Sequence, residues 1–174
     1  KNYELIHTSE SISSTDQPVN ALRKLKKSSM RLGINSVKLN ECDGLVSAGN
    51  TGALMAISKF VLKTIKAIDR PAIAALMPTM KGQTVILDLG ANVECSSENL
   101  VQFAIMGDMF SRSVLGIKNP KLGLLNVGSE QIKGNTVVKK TFDDLKKMNS
   151  KINFFGFVEG NDINKGVVDV IVTD

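Results

Sequence analysis

The chain has 174 residues, 43% of them hydrophobic and 22% charged, which suits one domain with a sizeable core and excludes a disordered chain. Aromatic residues make up only 5% and Trp is absent, so the core is expected to be aliphatic with Met as filler. The net charge of +5 favours an anionic partner without choosing among phosphate, an acidic protein, a membrane surface and nucleic acid.

In chain order, residues 3–6 read as a short strand, and the polar turn at 13–16 caps a helix opened by Pro18. Helical pattern continues, with an interruption, to about residue 40. Residues 44–47 read as a short apolar strand ending in a glycine turn. Residues 50–65 read as a buried helix on Leu54, Ile57, Phe60, Val61, Leu62 and Ile65. Two further strands are predicted at 71–78 and 84–88, then a long apolar helix at 98–115. A strand at 121–126, a helix at 135–148 and strands at 152–158 and 168–173 complete the series. Strands that are apolar throughout, separated by helices, predict a doubly wound α/β fold: a mostly parallel sheet with helices on both faces. A single domain over 1–174 is expected. Lys1 is not an initiator Met and the last strand runs to the final residues, so the chain reads as cut at both ends. On the amphipathic helix at 136–148, Val137, Val138, Phe142, Leu145 and Met148 share one side, expected against the sheet rather than on a bilayer.

In open parallel sheets ligands bind at the carboxyl ends of the strands. Four glycine- and asparagine-rich turns are expected there. The first runs Ser47-Ala48-Gly49-Asn50-Thr51-Gly52-Ala53-Leu54. Gly49 and Gly52 let the backbone approach a ligand, and the following helix start presents N–H groups to an anion. Asn50 and Thr51 add neutral donors, with Ser47 at the edge of the turn; the plainer reading is a helix cap. The turn is neither a Walker loop nor GxGxxG, so ATP and NAD lack support and no cofactor is expected. The second turn, 88–92, offers Asp88 to orient a donor or cap the turn, with Gly90 and Asn92 beside it. The third, 126–135, holds Gly128, Asn135 and Lys133, which is either a cation for a phosphate or developing oxyanion or a solvated loop lysine. The fourth, 156–162, has Glu159 at a strand end.

His7, the only histidine, lies outside all four turns, which excludes Ser-His-Asp chemistry and a His-rich metal site. Cys42 and Cys95 are too few for a disulfide framework or a zinc site, and no metal is expected. Cys42 reads as a buried apolar residue, Cys95 as a weak candidate nucleophile. Anion donors without a nucleophile suit direct attack by a bound anion on an activated acyl group. The cluster Arg23, Lys24, Lys26, Lys27 and Arg31 reads as a solvated face or a dock for an acidic partner. No apolar run reaches the length of a membrane span.

The segments VSAGNTGALM at 46–55, RPA at 70–72, LDLGANV at 87–93, LVQFAIMG at 100–107 and LLNVG at 124–128 resemble the acyl-ACP:phosphate acyltransferases, the PlsX family. DQP at 16–18, KKSSM at 26–30 and KGN at 133–135 fit the same pattern, so the resemblance covers almost the whole chain. It implies a cytosolic or membrane-peripheral bacterial enzyme, homodimeric, with a fold similar to phosphotransacetylases and decarboxylating dehydrogenases. Such an enzyme converts acyl-acyl carrier protein and inorganic phosphate into acyl phosphate and free carrier protein for phospholipid synthesis. Two family motifs are not in this sequence, an N-terminal Asp-Ala-Met-Gly-Gly-Asp-like turn and a Gly-Phe-Thr-Gly-Asn-like segment, so the chain by itself is expected to be inactive. From chemistry and motif together, phosphate binding falls to Ser47, Gly49, Asn50, Thr51 and Gly52, with Asp88, Gly90 and Gly128. Lys133 is the electrostatic stabiliser, Asn92 and Asn135 are donors, and Arg23, Lys24, Lys27 and Arg31 dock the carrier protein. Two alternatives stand beside this: a short-chain phosphate acetyl- or butyryltransferase using coenzyme A, and a non-catalytic anion- or carrier-binding fragment. Nucleic acid is not an expected partner.

Overall fold

A computed structural model describes residues 3–128, 133–148 and 150–173. Where the sequence suggests one domain, contacts gather the chain into two compact units, Lys1–Pro71 and Ala72–Asp174.

Unit 1 is helical among its described residues: α1 (Pro18–Lys24), α2 (Ser29–Lys38) and α3 (Thr51–Leu62). Pro18 opens α1, where its missing N–H costs nothing. The buried Ser28 caps α2, its hydroxyl accepting from Arg31 N at 3.4 Å. Ala53, Ile57 and Val61 recur every fourth residue along α3 and bury one stripe against Ala21, Met30 and Ile34. The strands expected at 3–6 and 44–47 do not form. Tyr3, Leu5 and Ile6 are exposed, and Val46 is 99% exposed. An apolar run becomes a strand only beside another strand that takes up its N–H and C=O groups, and neither run joins a sheet here. Cys42 is exposed rather than buried.

Unit 2 follows the predicted alternation closely. Its elements are β1 (Ala74–Thr79), β2 (Gly82–Leu87), α4 (Ser97–Val114), β3 (Lys121–Leu125), α5 (Thr136–Lys147), β4 (Asn153–Val158), α6 (Gly160–Ile163) and β5 (Val170–Val172). They build a five-stranded mixed α/β sheet in the order β1-β2-β5-β3-β4. β1 and β2 form an antiparallel hairpin, as a two-residue connection requires, with Thr79 opposite Gly82. Gly82 adopts φ +126°, a region costly for any side chain. The other pairings are parallel. β5, last in the chain, lies at the centre and is buried throughout.

One face of this sheet (Val85, Leu87, Leu122, Leu124, Phe157, Val170, Val172) packs on Leu100, Phe103 and Ala104 of α4 and on Val138 and Leu145 of α5. Gly107 permits the close approach of α4, since a Cβ there would stand 2.5 Å from Val170 and 2.7 Å from Leu87. The apolar side of α5 lies in the core as the sequence indicates, with Phe142 4.5 Å from the Phe157 ring centroid. The opposite face (Ile86, Val158, Ile171) packs on Val168, on Val167 and on Ile163 of α6. No helix among the described residues is long and apolar enough to cross a membrane.

Candidate functional site

The first turn belongs to unit 1 and follows an irregular segment instead of a strand. Its hub is Asn50. Asn50 Oδ1 accepts from Ala53 N at 2.9 Å, capping α3, while Nδ2 donates to the carbonyls of Ser13 (3.1 Å), Ser14 (3.2 Å) and Asp16 (2.9 Å). The cap reading is therefore satisfied, and the same side chain ties α3 to the 13–16 loop. Ser47 Oγ accepts from Gly49 N at 3.2 Å. A Cβ on Gly52 would stand 2.8 Å from Pro18 Cγ, so close packing against the proline ring favours glycine there, while one on Gly49 would meet only the flexible tip of Met30, at 3.0 Å. A surface cavity of about 430 Å³ opens beside the turn, lined by Ser11, Ser29, Met30, Ser47 and Gly49. Thr51 is exposed at the helix start.

The other three turns belong to unit 2. Because β2, β5, β3 and β4 run parallel, Asp88, Thr173, Asn126 and Glu159 follow their carboxyl ends at one edge. Asp88 N donates to Thr173 O at 3.1 Å, and Asn126 N to Val158 O at 2.9 Å. The Asp88 carboxylate is buried and accepts from Ile73 N (2.7 Å), Ala91 N (3.2 Å), Asn92 N (2.8 Å) and Asn92 Nδ2 (2.9 Å). It closes the turn and fixes the Asn92 amide. Gly90 sits at φ +86°, as the tight reversal demands.

Asn126 organises the third turn. Its Oδ1 accepts from Val127 N at 2.9 Å and its Nδ2 donates to Lys133 O at 3.2 Å. Gly134, at φ +90°, lies against the Asn126 amide, so a Cβ there would collide with it. Asn135 caps α5, Oδ1 accepting from Val138 N at 2.8 Å. Gly128 is buried and Lys133 is exposed. Residues 129–132 of this turn lie outside the described residues. In the fourth turn, Glu159 N donates to Asp162 Oδ2 at 3.2 Å. That bond, with the Lys165 ammonium 3.0 Å away, holds the Asp162 carboxyl below its usual range.

The third and fourth turns, with Thr173, frame a cavity of about 260 Å³, lined by Asn126, Gly134, Asn135 and Gly160 over Leu125 and Val138; Asp88, Gly90, Asn92, Gly128 and Lys133 are not among its lining residues. Thr173 is the residue that sequence reasoning passed over. Its one signal is a hydroxyl placed directly after three buried valine and isoleucine positions at a strand end. Of the residues expected to dock a partner, Arg23, Lys24 and Lys27 are exposed, while the Arg31 guanidinium stands 5.6 Å over the Phe60 ring.

The fatty acid synthesis protein family matches residues 1–174. The phosphate acyltransferase of Paramagnetospirillum magneticum is 57% identical over 168 residues, covering 97% of this chain and 48% of that protein. That of Ehrlichia ruminantium is 54% identical over 173 residues, covering 99% of this chain and 51% of that protein. That of Thermoanaerobacter pseudethanolicus is 51% identical over 174 residues, covering 100% and 52%. The chain thus spans about half the length of the curated relatives it matches. Among solved structures, EutD phosphotransacetylase from Staphylococcus aureus superimposes with a TM-score of 0.61 at 20% identity, covering 86% of this chain and 52% of that one, a likeness of fold. Matched along its whole length, the chain belongs to the fatty acid synthesis protein family, that of the phosphate acyltransferases.

Proposed function

We propose that a protein built on this chain transfers a long-chain fatty acyl group from acyl carrier protein to inorganic phosphate. The observation that carries the reading is identity above one half with phosphate acyltransferases across the chain. The strand-end cavity supplies chemistry that fits it. A phosphate oxygen attacks the thioester carbonyl carbon, forming a C–O bond and an oxyanion. The C–S bond then breaks, acyl phosphate is released, and the proton of hydrogen phosphate passes to the carrier thiolate.

Such a step needs no enzyme nucleophile. It needs phosphate and thioester held in line, which contributes about 7–11 kcal/mol, and donors aimed at the oxyanion, each worth roughly 10²–10³ in rate. In unit 2, Lys133 is the cation of the reading, Asn135, Asn92 and Thr173 its neutral donors, and Asp88 a positioning residue. In unit 1, the 49–52 turn is assigned to phosphate, with the start of α3 behind it. The homodimeric state and the peripheral association with membranes belong to the same proposal.

The test is an assay of a form as long as the relatives, given long-chain acyl-acyl carrier protein and phosphate. Acyl phosphate and free carrier protein are the expected products. Turnover of acetyl-coenzyme A with none of the carrier-bound donor would replace the reading with the short-chain one. Carrier binding without acyl phosphate would make the protein non-catalytic.

A further inference from the structure

Helices α1, α2 and α3 contain no Asp or Glu at all. Ordinary solvated faces intersperse both signs. Between α1 and α3 opens a groove of about 510 Å³, walled by Leu22, Ala56 and Phe60 and rimmed by Lys59, Lys63 and Thr64. Phe60 is 55% exposed at its centre. Two cations hold the ring, Arg31 at 5.6 Å and Lys63 Nζ at 5.0 Å from its centroid. An exposed aromatic fixed in orientation, with an apolar wall and a rim of one sign, has the build of an interface anchor.

We propose that this groove docks an acidic helical protein: the carrier that presents the acyl thioester. The inference rests on the acyl-transfer reading above and adds where the donor sits. An apolar side chain of the partner helix enters against Phe60 and Leu22, and flanking carboxylates meet Arg31, Lys59 and Lys63. Charge complementarity selects the partner's sign. The concavity selects its shape, because side chains protruding from a partner helix enter it and a plane of lipid headgroups does not. Distance within unit 1 fits as well. Phe60 in the groove lies nine residues along α3 from Thr51 at the turn, about 14 Å at 1.5 Å per residue. A carrier docked at the far end of α3 therefore delivers its thioester on an extended arm, whereas a donor without a protein gains nothing from the groove.

The experiment uses the full-length form and compares one acyl group on acyl carrier protein and on free pantetheine. Phe60→Ser and Lys63→Glu are each expected to raise KM for the carrier-bound donor about tenfold, with kcat within about twofold. The pantetheine thioester should be turned over as by wild type, and the melting temperature should hold, since both side chains are exposed. Titration with acyl carrier protein, read apart from turnover, should weaken by the same factor. An unchanged KM and unchanged carrier affinity in both variants would overturn the proposal. So would an equal loss with the pantetheine donor, which marks a packing defect. Loss of co-sedimentation with phosphatidylglycerol vesicles at unaltered carrier affinity would assign the groove to a membrane instead. A wild-type protein that binds the carrier in the groove yet makes no acyl phosphate would sink the acyl-transfer reading and leave the dock.

Discussion

The two units divide the labour of charge and of backbone pairing in opposite ways. Unit 1 holds 11 Lys and Arg against 6 Asp and Glu, and unit 2 holds 11 against 11, so the whole net charge of +5 resides in unit 1. Unit 2 satisfies its backbone through a sheet. The candidate turn of unit 1 is instead held by one asparagine that reaches three carbonyls. Apolar runs of similar composition thus end as buried strands in one unit and exposed segments in the other. A strand is a property of its neighbours as much as of its own residues.

The strongest way to break this contrast is at Asp88. Replacing it by Ala removes the acceptor of three buried or half-buried backbone N–H groups and of the Asn92 amide. Each orphaned buried donor costs about 1–3 kcal/mol, so Asp88→Ala should lose roughly 3 kcal/mol or more from unit 2. Urea unfolding followed by amide exchange in β2 and β5 reads it. An unmoved midpoint would mean that the turn does not depend on its carboxylate. Lys133→Ala is the complementary case. The side chain is exposed, so unfolding should be unaffected, while turnover of acyl-acyl carrier protein drops by about 10². Wild-type turnover would return Lys133 to a solvated loop lysine.

Asn50→Ala asks whether unit 1 has an equivalent hub. Loss of a helix cap costs about 1 kcal/mol, and the three bonds to the 13–16 loop vanish with it. A loss of about 1–2 kcal/mol is expected, read by amide exchange at the start of α3. Asn50→Asp keeps the cap oxygen and removes the donor, so it should retain the cap and free the loop. Equal exchange in both variants would show that the loop contacts carry the effect alone.

How legible this was from sequence depended on the element. The helices at α4 and α5 and the strands β3, β4 and β5 were readable because each is an apolar run or stripe long enough to declare its period. α6 was not, since Gly160–Ile163 is four residues with one apolar position. Nor was the central place of β5, which is decided by register with Val85–Leu87 and Leu122–Leu124 rather than by its own residues. At the site, glycine and asparagine spacing marked the turns. It could not say that Asn50, Asp88, Asn126 and Asn135 would engage their polar atoms in holding those turns, because a cap and a ligand contact call for the same side chain. Thr173 carried no motif in the reading and emerged only when β5 put it at the shared edge.

The smallest effect sharpens the charge comparison. Glu98 begins α4 and Lys140 lies on α5, and the ion pair between them joins two helices of the neutral unit. The hydrogen bond from the Lys140 ammonium, aided by the Glu98 backbone N–H and the Ser96 hydroxyl, lowers the Glu98 carboxyl from the usual 4.5 to about 2. A carboxyl lowered on folding stabilises the folded state fully above its unfolded value. The contribution is therefore complete above pH 4.5 and fades as pH falls toward about 2. Both side chains are mostly exposed, so water and salt screen the pair heavily. Glu98→Gln should speed amide exchange in the first turn of α4 slightly at neutral pH and low salt. That difference should shrink at 1 M salt, where the screening length is about 3 Å, and vanish near pH 2. Lys24→Gln in unit 1 has no acidic residue on its own helix, so it should show no matching loss of protection at any pH. A difference between wild type and Glu98→Gln that persists at pH 2 and in high salt would place its origin in packing or helix capping, and the paired-charge account of unit 2 would fail there.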